Sequence, residues 1–504
     1  MNIKTFTFIT IMLSVFTDYS NAQETYKEQY RPQVHFSPKA GWMNDPNGMI
    51  YYNNQYHLYF QHYPYSSVWG PMHWGHATSK DLVHWQEQPI ALYPDSLGAI
   101  FSGSIVADSN NTSGFGKDGK IPFVAIFTLA NWTTEKAGAN DYQTQGIAYS
   151  LDEGMTWTKY ENNPVLKNPG IKDFRDPKVS WYEPAKKWIM PLATYDRVTF
   201  YSSPDLKNWT KESDFGAEVG KHGAAWECPD LFSMDYNGQQ VWVLLVSINP
   251  GGPNGGSATQ YFVGQFDGKN FISDQKDIRW LDYGTDNYAG VTWANTGNRK
   301  ILIGWMNNWQ YARVVPTKKW RSAMTVPRDL GLKKEGDKYL VTSLPVKELN
   351  SINDKQTVLE NIPATNYDLT KKVGKLAGPA KINFTSDKIE TFSITLSNDQ
   401  GEKMVVGYNK AANYYYVDRS ASGITGFEKD FVLFHFAPRL TQAINLNLSL
   451  IIDVASIELF ADDGLTVMTD IFFPTTPYNK ITIQSTEGTI IKKLEYVTLK
   501  SIWP

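Results

Sequence analysis

Three acidic side chains lie in short proline-containing motifs along the first half of the chain. Residues 42–48 read WMNDPNG, residues 174–177 read FRDP and residues 226–230 read WECPD. A carboxylate that precedes Pro and Asn-Gly is held in a tight turn, so the backbone fixes its direction. One such motif alone indicates a solvated surface turn. Three of them in a Trp-rich chain, without a cluster of metal-ligating residues, predict a shared chemical role.

The residue types around the three acids favour cleavage of a glycosidic bond. That reaction needs one ionised carboxylate near the anomeric carbon and one protonated carboxyl group near the leaving oxygen. Glu227 follows Trp226, and an apolar wall raises the pKa of a carboxyl group, which suits the protonated role. Asp45 lies beside the amides of a tight turn, which suits the ionised role. Asp176 follows Arg175, with which it can form an ion pair.

The segments that must position these motifs are short strands, since long helical periodicity is scarce. Apolar or alternating runs, separated by clusters of Gly, Pro, Asn and Asp, predict an all-β chain with many antiparallel strands. These runs occupy residues 55–61, 122–129, 187–192, 241–246 and 301–305.

A degenerate repeat predicts that the strands form a β-propeller. Residues 79–85 (SKDLVHW) match residues 203–209 (SPDLKNW), and two further segments keep the Asp and a later aromatic residue. The repeated aspartates are 71, 53 and 62 residues apart, which suits a four-stranded blade with its loops. They are Asp81, Asp152, Asp205 and Asp267. Residues 30–345 are therefore predicted to form five blades; the alternative is an accidental recurrence of turn chemistry.

The character of the chain changes after residue 349. The Trp-rich turns stop and alternating strands dominate, for example at residues 403–407, 414–417 and 456–460. This pattern predicts a second all-β domain, a β-sandwich over residues 355–504, joined to the propeller by a polar stretch.

Charge and composition favour a neutral ligand. The 504 residues carry a formal net charge of −3, with a sequence pI near 6.3. The chain therefore lacks the excess of positive charge that would attract nucleic acid or an anionic membrane surface. Aromatic residues make up 14%, including 17 Trp and 29 Tyr. Such side chains offer flat faces to sugar rings as well as bulk to sheet cores.

The first 22 residues are predicted to be a signal peptide, because a Lys precedes a short apolar run that ends at small residues. At about eleven residues the run is too short to span a bilayer. We therefore expect an exported protein, periplasmic or extracellular. The single cysteine, Cys228, is far from the cleavage site, so lipid attachment there and an intrachain disulfide are both excluded.

The motifs resemble those of glycoside hydrolase family 32, the invertase, inulinase and levanase group, over the whole mature length. Besides the three acidic motifs, the resemblance rests on WGH at residues 74–76, FSGS at 101–104, DNYA at 286–289 and GWM at 304–306. It implies a five-bladed β-propeller followed by a C-terminal β-sandwich, in agreement with the repeat.

The resemblance also implies a role for each acid. Asp45 is expected to be the nucleophile, Asp176 the transition-state stabiliser and Glu227 the general acid/base, with Asp45 and Glu227 about 5–5.5 Å apart. Eight further residues match positions that line the fructose pocket in the family. They are Asn44, Gln61, Trp69, Phe101, Ser102, Arg175, Tyr288 and Trp305.

The resulting hypothesis is a retaining hydrolase that cleaves β-fructofuranosyl linkages of levan, inulin or sucrose, with exo action and without cofactor or metal. We expect a monomer or a weak homo-oligomer. The alternatives are an endo-acting levanase or inulinase, a transfructosylase, an inverting five-bladed pentosidase and a carbohydrate-binding propeller without catalysis. The Gly-rich residues 249–257 lack the Lys-Ser/Thr of a phosphate-binding loop and are assigned to a pocket rim or a blade connection.

Overall fold

The computed structural model describes residues 26–431, 433–485 and 490–503, so the predicted signal peptide at residues 1–22 lies outside the described residues. About half of the chain is strand and only 4% is helix. The predicted class is confirmed: the chain forms a five-bladed β-propeller followed by a β-sandwich. None of the described helices is long and apolar enough to cross a membrane.

Each blade is built on four antiparallel strands, and short strands extend three of them. Blade one contains β1 (Gly41–Tyr52), β2 (Gln55–Tyr63), β3 (His73–Ser79) and β4 (Gln86–Leu92). Blade two contains β5 (Ala99–Ala107), β6 (Phe123–Ala130), β7 (Gln143–Ser150) and β8 (Thr158–Lys159). Blade three contains β9 (Phe174–Arg175), β10 (Ser180–Tyr182), β11 (Lys187–Thr194), β12 (Val198–Ser203) and β13 (Thr210–Phe215).

Blade four contains β14 (Trp226–Tyr236), β15 (Gln239–Ile248), β16 (Ala258–Phe266) and β17 (Phe271–Ile272). One short strand that lies among those of blade five in sequence, β20 (Trp320–Arg321), pairs in parallel with β1 and so joins the sheet of blade one. Blade five itself contains β18 (Tyr288–Thr292), β19 (Lys300–Met306), β21 (Ala323–Met324), β22 (Arg328–Glu335) and β23 (Lys338–Pro345).

The repeated aspartates form the turn between the third and fourth strands of blades one to four. Asp81, Asp205 and Asp267 each accept hydrogen bonds from the amides two and three residues later. Leu82 and Leu206, which follow two of these aspartates, share a left-handed φ of 65°. In blades one, three and four the sequence repeat is therefore a repeat of one turn geometry at the outer edge of the blade.

Two six-stranded sheets pack face to face in the sandwich. One contains β24 (Asn353–Pro363), β26 (Ala380–Ser386), β31 (Leu446–Ile452), β32 (Ser456–Ala461), β33 (Thr466–Ile471) and β35 (Ile490–Leu499). The other contains β25 (Tyr367–Asp368), β27 (Phe392–Ser397), β28 (Lys403–Asn409), β29 (Tyr414–Ala421), β30 (Phe434–Pro438) and β34 (Lys480–Ser485). The described helices are short: α1 (Trp132–Lys136), α2 (Thr370–Val373) and two 3-10 turns, Glu183–Ala185 and Lys347–Ile352.

A buried charge network joins the propeller to the sandwich. Arg328 of β22 contacts Asp282, which precedes β18, at 2.9 Å, and binds Glu458 of β32. His35, in the segment before β1, lies between Glu458 and Asp453, with each ring nitrogen 2.7 Å from a carboxylate oxygen. Each of these buried ionic groups has a partner, as burial of charge requires, and the network spans the propeller and the sandwich.

Candidate active site

The first strands of four blades are irregular, and those of blades one and four carry the motifs of Asp45 and Glu227. The strand register shifts between Met43 and Pro46 in β1, and between Glu227 and Asp230 in β14. Similar shifts follow Ile100 in β5 and Tyr288 in β18. A bulge turns a side chain away from the regular alternation of a strand. These bulges therefore allow consecutive residues of the first strands to face one central cavity.

Asp45 is partly exposed to the cavity at the bulge of β1, and two donors hold it. Asn44 Nδ2 donates to Oδ1 at 3.0 Å, and Ser102 Oγ donates to Oδ2 at 2.7 Å. The Asn44 amide is itself oriented by the indole N–H of Trp42, which donates to Asn44 Oδ1 at 2.7 Å. Burial and the charge of Glu227 raise the pKa of Asp45, while the two donors oppose that rise.

Asp176 lies beside Asp45, and one thiol links them. Cys228 Sγ is 3.6 Å from Asp45 Oδ2 and 3.6 Å from Asp176 Oδ2, and the backbone N–H of Cys228 donates to Asp176 Oδ2 at 3.0 Å. The Asp176 amide donates to Thr128 Oγ1 at 3.0 Å. Burial and the charges of Glu227 and Asp45 raise the pKa of Asp176 to about 7, although Arg175 opposes the shift.

Glu227 faces the same cavity, and its side chain keeps 22% of its surface exposed. Arg175 donates to its Oε1 through Nε and Nη2, and the hydroxyl group of Tyr288 donates to its Oε2. The indole of Trp226 is fully buried and packs on His222 and Phe262. Adjacent residues of a strand point to opposite faces, which explains why Arg175 and Tyr288, rather than Trp226, contact the carboxylate.

A cavity of about 440 Å³ lies between the blades and includes all three carboxylates in its wall. Six of the eight predicted substrate-binding residues line it: Asn44, Gln61, Trp69, Phe101, Ser102 and Arg175. The other two lie behind the wall. Tyr288 is 1% exposed and reaches Glu227 with its hydroxyl group, whereas Trp305 is fully buried and packs on Trp42 and Trp309.

The cavity also has wall residues that the sequence did not single out. Trp132 and Glu135 come from α1, and Trp132 lies 5.2 Å from the ring of Trp69. Arg313 lies 5.7 Å from the ring centre of Trp69 and 5.8 Å from that of Trp309. The remaining additions are Tyr142, Gln143, Ala225, Asn249 and Trp309. Asn249 opens the Gly-rich segment, but no local signal in the sequence marks the others, which lie in α1, at the start of β7 or in connections between strands.

The described residues contain no group of three or more His, Cys, Asp or Glu side chains that could hold a metal ion. The arrangement instead offers three carboxylates, a guanidinium group and aromatic walls. Two carboxyl groups that face one cavity are the groups that glycoside cleavage requires.

Comparison with known proteins decides the family. The N-terminal domain of glycosyl hydrolases family 32 matches residues 35–343, and the C-terminal domain of that family matches residues 344–501. The chain belongs to glycoside hydrolase family 32. This family 32 member is 43% identical to a levanase of Bacillus subtilis over 510 residues, which cover 98% of this chain and 74% of the relative.

Two further family 32 proteins resemble it over nearly their whole length. An extracellular exo-inulinase of Aspergillus niger is 38% identical over 500 residues, 92% of this chain and 93% of the relative. The crystal structure of an exo-inulinase from Aspergillus awamori superposes with a TM-score of 0.86 at 36% identity, covering 95% of this chain and all of the other. This family 32 chain is thus a glycoside hydrolase that acts on β-fructosides.

Proposed function

We propose that this enzyme hydrolyses β-fructofuranosyl linkages of levan, inulin and sucrose from the chain end, with retention of configuration. In this proposal residues 30–345 form the catalytic domain and residues 355–504 the ancillary sandwich. Asp45 is the nucleophile, Glu227 the general acid/base and Asp176 the stabiliser of the transition state. The observation that carries the proposal is the cavity in which these three carboxylates meet, each held by donors from a different strand or loop.

The first half of the reaction forms a covalent intermediate. Asp45 Oδ attacks C2 of the fructosyl unit while the C2–O bond breaks, and protonated Glu227 gives its proton to the departing oxygen. In the transition state, positive charge develops on the furanose ring. Asp176 accepts hydrogen bonds from ring hydroxyl groups, and its negative charge stabilises the positive charge of the ring. Ser102 and Asn44 hold the Asp45 carboxylate in position while its attacking oxygen forms the bond to C2 and loses its negative charge.

The second half releases fructose. Glu227, now ionised, takes a proton from water, whose oxygen attacks C2 from the side that the leaving group occupied, and the bond to Asp45 breaks. Arg175 and Tyr288 are donors to the Glu227 carboxylate and so stabilise the ionised form that this step needs. Two inversions at C2 return the original configuration.

The relatives support the substrate class and the mode of attack. Their names include levanase and exo-inulinase, for β2,6-linked and β2,1-linked fructans respectively. Trp69, Trp132 and Arg313 form part of the cavity wall, and the exo-inulinase names of the Aspergillus relatives support terminal attack. Extracellular relatives, together with the apolar N-terminal run, support export to the periplasm or the medium, and we expect a monomer or weak homo-oligomer.

Product analysis on levan, inulin and sucrose tests the proposal. Free fructose should be the first product from each fructan, and NMR of the initial product should show the β-anomer. Oligosaccharides as first products would establish endo action, fructosylated sugars at high sucrose would establish transfer, and an initial α-anomer would establish inversion.

Isosteric variants test the assigned roles. Glu227→Gln should lower kcat by about 10²–10⁴-fold, and Asp45→Asn by at least as much, with unchanged thermal unfolding. Glu161→Gln, at an exposed acidic residue outside the cavity, is the matched control. Near-normal turnover in either cavity variant would remove its assignment.

A further inference from the structure

Four aromatic rings form a continuous strip on the outer face of the sandwich, at one edge of its second sheet. The aromatic strip consists of Tyr414 and Tyr416 on β29 and Phe434 and Phe436 on β30. Tyr416 stacks on Phe434 with ring centres 5.5 Å apart and planes 12° apart. Tyr414 lies 6.0 Å from Phe436 and 6.4 Å from Tyr416. Phe434 is 43% exposed and Phe436 is 53% exposed.

This outer face is unusual for a half-buried sheet. The inward residues of β29 and β30, among them Tyr415 and Ala437, are buried and form the core. The outward residues of such strands are normally polar, as they are in β27, where Ser393 and Thr395 alternate with core residues. The strip replaces polar residues by large rings on two adjacent strands at once.

Packing accounts for one ring of the strip and not for the phenylalanines. A Cβ atom on Gly407 of β28 would lie 2.5 Å from the ring and hydroxyl atoms of Tyr416, so this ring lies flat across the glycine. Tyr416 thereby covers backbone that would otherwise face water. Phe434 and Phe436 extend the same flat surface towards the sheet edge, where about half of each side chain meets solvent.

The sheet edge that carries the strip is tied to the rim of the catalytic cavity. Asn254 Nδ2 donates to the backbone oxygen of Phe436 at 3.0 Å, and the Phe436 amide donates to Asn254 Oδ1 at 3.2 Å. Asn254 belongs to the Gly-rich loop at residues 249–257, which is closed by a bond of 2.9 Å from Gly251 to Gly256. The first residue of this loop, Asn249, lines the catalytic cavity.

We propose that the aromatic strip is a second carbohydrate-binding surface, which holds a β-fructan chain whose end is in the catalytic cavity. The inference rests on the proposed function, because it takes its ligand from it. Flat aromatic surfaces with tyrosine hydroxyl groups suit neutral sugars, and outward residues recur at about 7 Å along a strand, a spacing comparable with one sugar unit. The loop at residues 249–257 connects the strand edge that carries the strip to the cavity wall.

The size of the strip favours a sugar chain over a second copy of the protein. Fully buried aromatic side chains contribute about 150–250 Å² each, so two half-exposed phenylalanines and two largely buried tyrosines offer roughly 300 Å². A stable protein interface needs about 800 Å² per partner. The strip alone is therefore too small for a stable dimer and large enough for a few sugar units.

Native gels that contain levan or inulin of high molecular mass test binding without turnover. In an Asp45→Asn background, the intact strip should retard migration, and the double change Phe434→Thr with Phe436→Thr should require about tenfold more polymer for the same retardation. Threonine keeps the strand propensity of both positions. Ile444→Ala, at a 76% exposed side chain of the same domain, and Tyr93→Ala, at a 52% exposed ring of the propeller, are the matched controls.

Kinetics in the otherwise unchanged enzyme provide the second test. The double change should lower kcat/KM on polymeric levan or inulin about tenfold and leave sucrose hydrolysis unchanged. Equal retardation and equal polymer kinetics would overturn the inference, as would a shift from dimer to monomer in sedimentation without loss of retardation. A wild-type enzyme that releases no fructose, but whose retardation still depends on the strip, would overturn the proposed function and leave the strip in place.

Discussion

Arg175 donates two hydrogen bonds to a single oxygen of Glu227, from Nε at 3.1 Å and from Nη2 at 2.9 Å. The same guanidinium group also binds Asp173 through Nη1, and its Nε is 3.9 Å from Asp176 Oδ2. One planar cation thus fixes the position of the carboxylate proposed as acid/base and offsets negative charge from the carboxylate beside it. The planar arrangement of the guanidinium N–H donors therefore matters as much for positioning Glu227 as the positive charge does.

Arg175→Lys separates charge from geometry. Lysine keeps the positive charge but cannot donate two bonds in one plane, so Glu227 should lose its fixed position. We expect kcat to fall by about 10–100-fold, corresponding to the loss of one charge-assisted hydrogen bond. Steady-state kinetics on sucrose measure the effect, with Arg197→Lys at an exposed pair as control. A change confined to KM would mean that Arg175 binds substrate and does not position Glu227.

Ser102→Ala should move the acidic limb of the pH profile to higher pH. Burial already raises the pKa of Asp45, and the Ser102 hydroxyl group opposes that rise by donating to the ionised carboxylate. Removal of this donor should raise the pKa of Asp45 further, since hydrogen bonds to charged groups contribute about 1.5–3 kcal/mol. Profiles of kcat/KM against pH measure the limb. An unchanged limb would show that a group other than Asp45 controls it.

Asp176→Asn should stabilise the folded enzyme above neutral pH while abolishing most activity. The folded-state pKa of Asp176 is raised to about 7, above about 3.9 in the unfolded chain. The wild type therefore loses stability as pH rises from 4 through 7. Asparagine carries no charge and tolerates the left-handed φ of 64° at this position.

Thermal unfolding at pH 4.5 and pH 8 checks this expectation. The variant should match the wild type at the lower pH and exceed it at the higher pH, by up to about 4 kcal/mol. Asp95→Asn, at a partly exposed ion pair, is the control. A destabilised Asn variant at pH 8 would mean that the Asp176 charge is fully compensated in the folded protein.

Local chemistry explains what the sequence could predict. The turns at Asp81 and Asp205 need only an aspartate and the amides that follow it. The repeat is therefore visible in the amino-acid sequence and identifies the blades. The alternation of buried and exposed residues likewise marks the strands of the sandwich.

The arrangement within the cavity depends on contacts between distant segments, which no local pattern encodes. The bulge around Asp45 forms against β2, and the contacts of Glu227 come from residues 52 and 61 positions away. Trp226 was expected to provide the apolar wall beside Glu227, but the alternation of β14 directs it into the core. Wall residues such as Trp132, in the short helix α1, and Arg313, in a turn, lie in connections between strands.

His35→Gln tests the charge network between the domains. Burial opposes protonation of His35, but hydrogen bonds to Asp453 and Glu458 raise its pKa to about 9. A raised pKa stabilises the folded state fully below the unfolded value of 6.5 and progressively less as pH rises through 9. Glutamine is neutral and leaves both carboxylates without a cationic partner from this position.

We expect the glutamine variant to be less stable than the wild type at pH 6, by no more than about 3 kcal/mol. The difference should shrink between pH 6.5 and pH 9, because deprotonation removes the advantage of the wild type. Denaturant unfolding across this range measures it, and His84→Gln, at a half-exposed pair with Asp81, is the matched control. Parallel stability curves for wild type and His35→Gln would show that His35 stays neutral between its two carboxylates, and the cohesion of the domains would then rest on Arg328 and its partners.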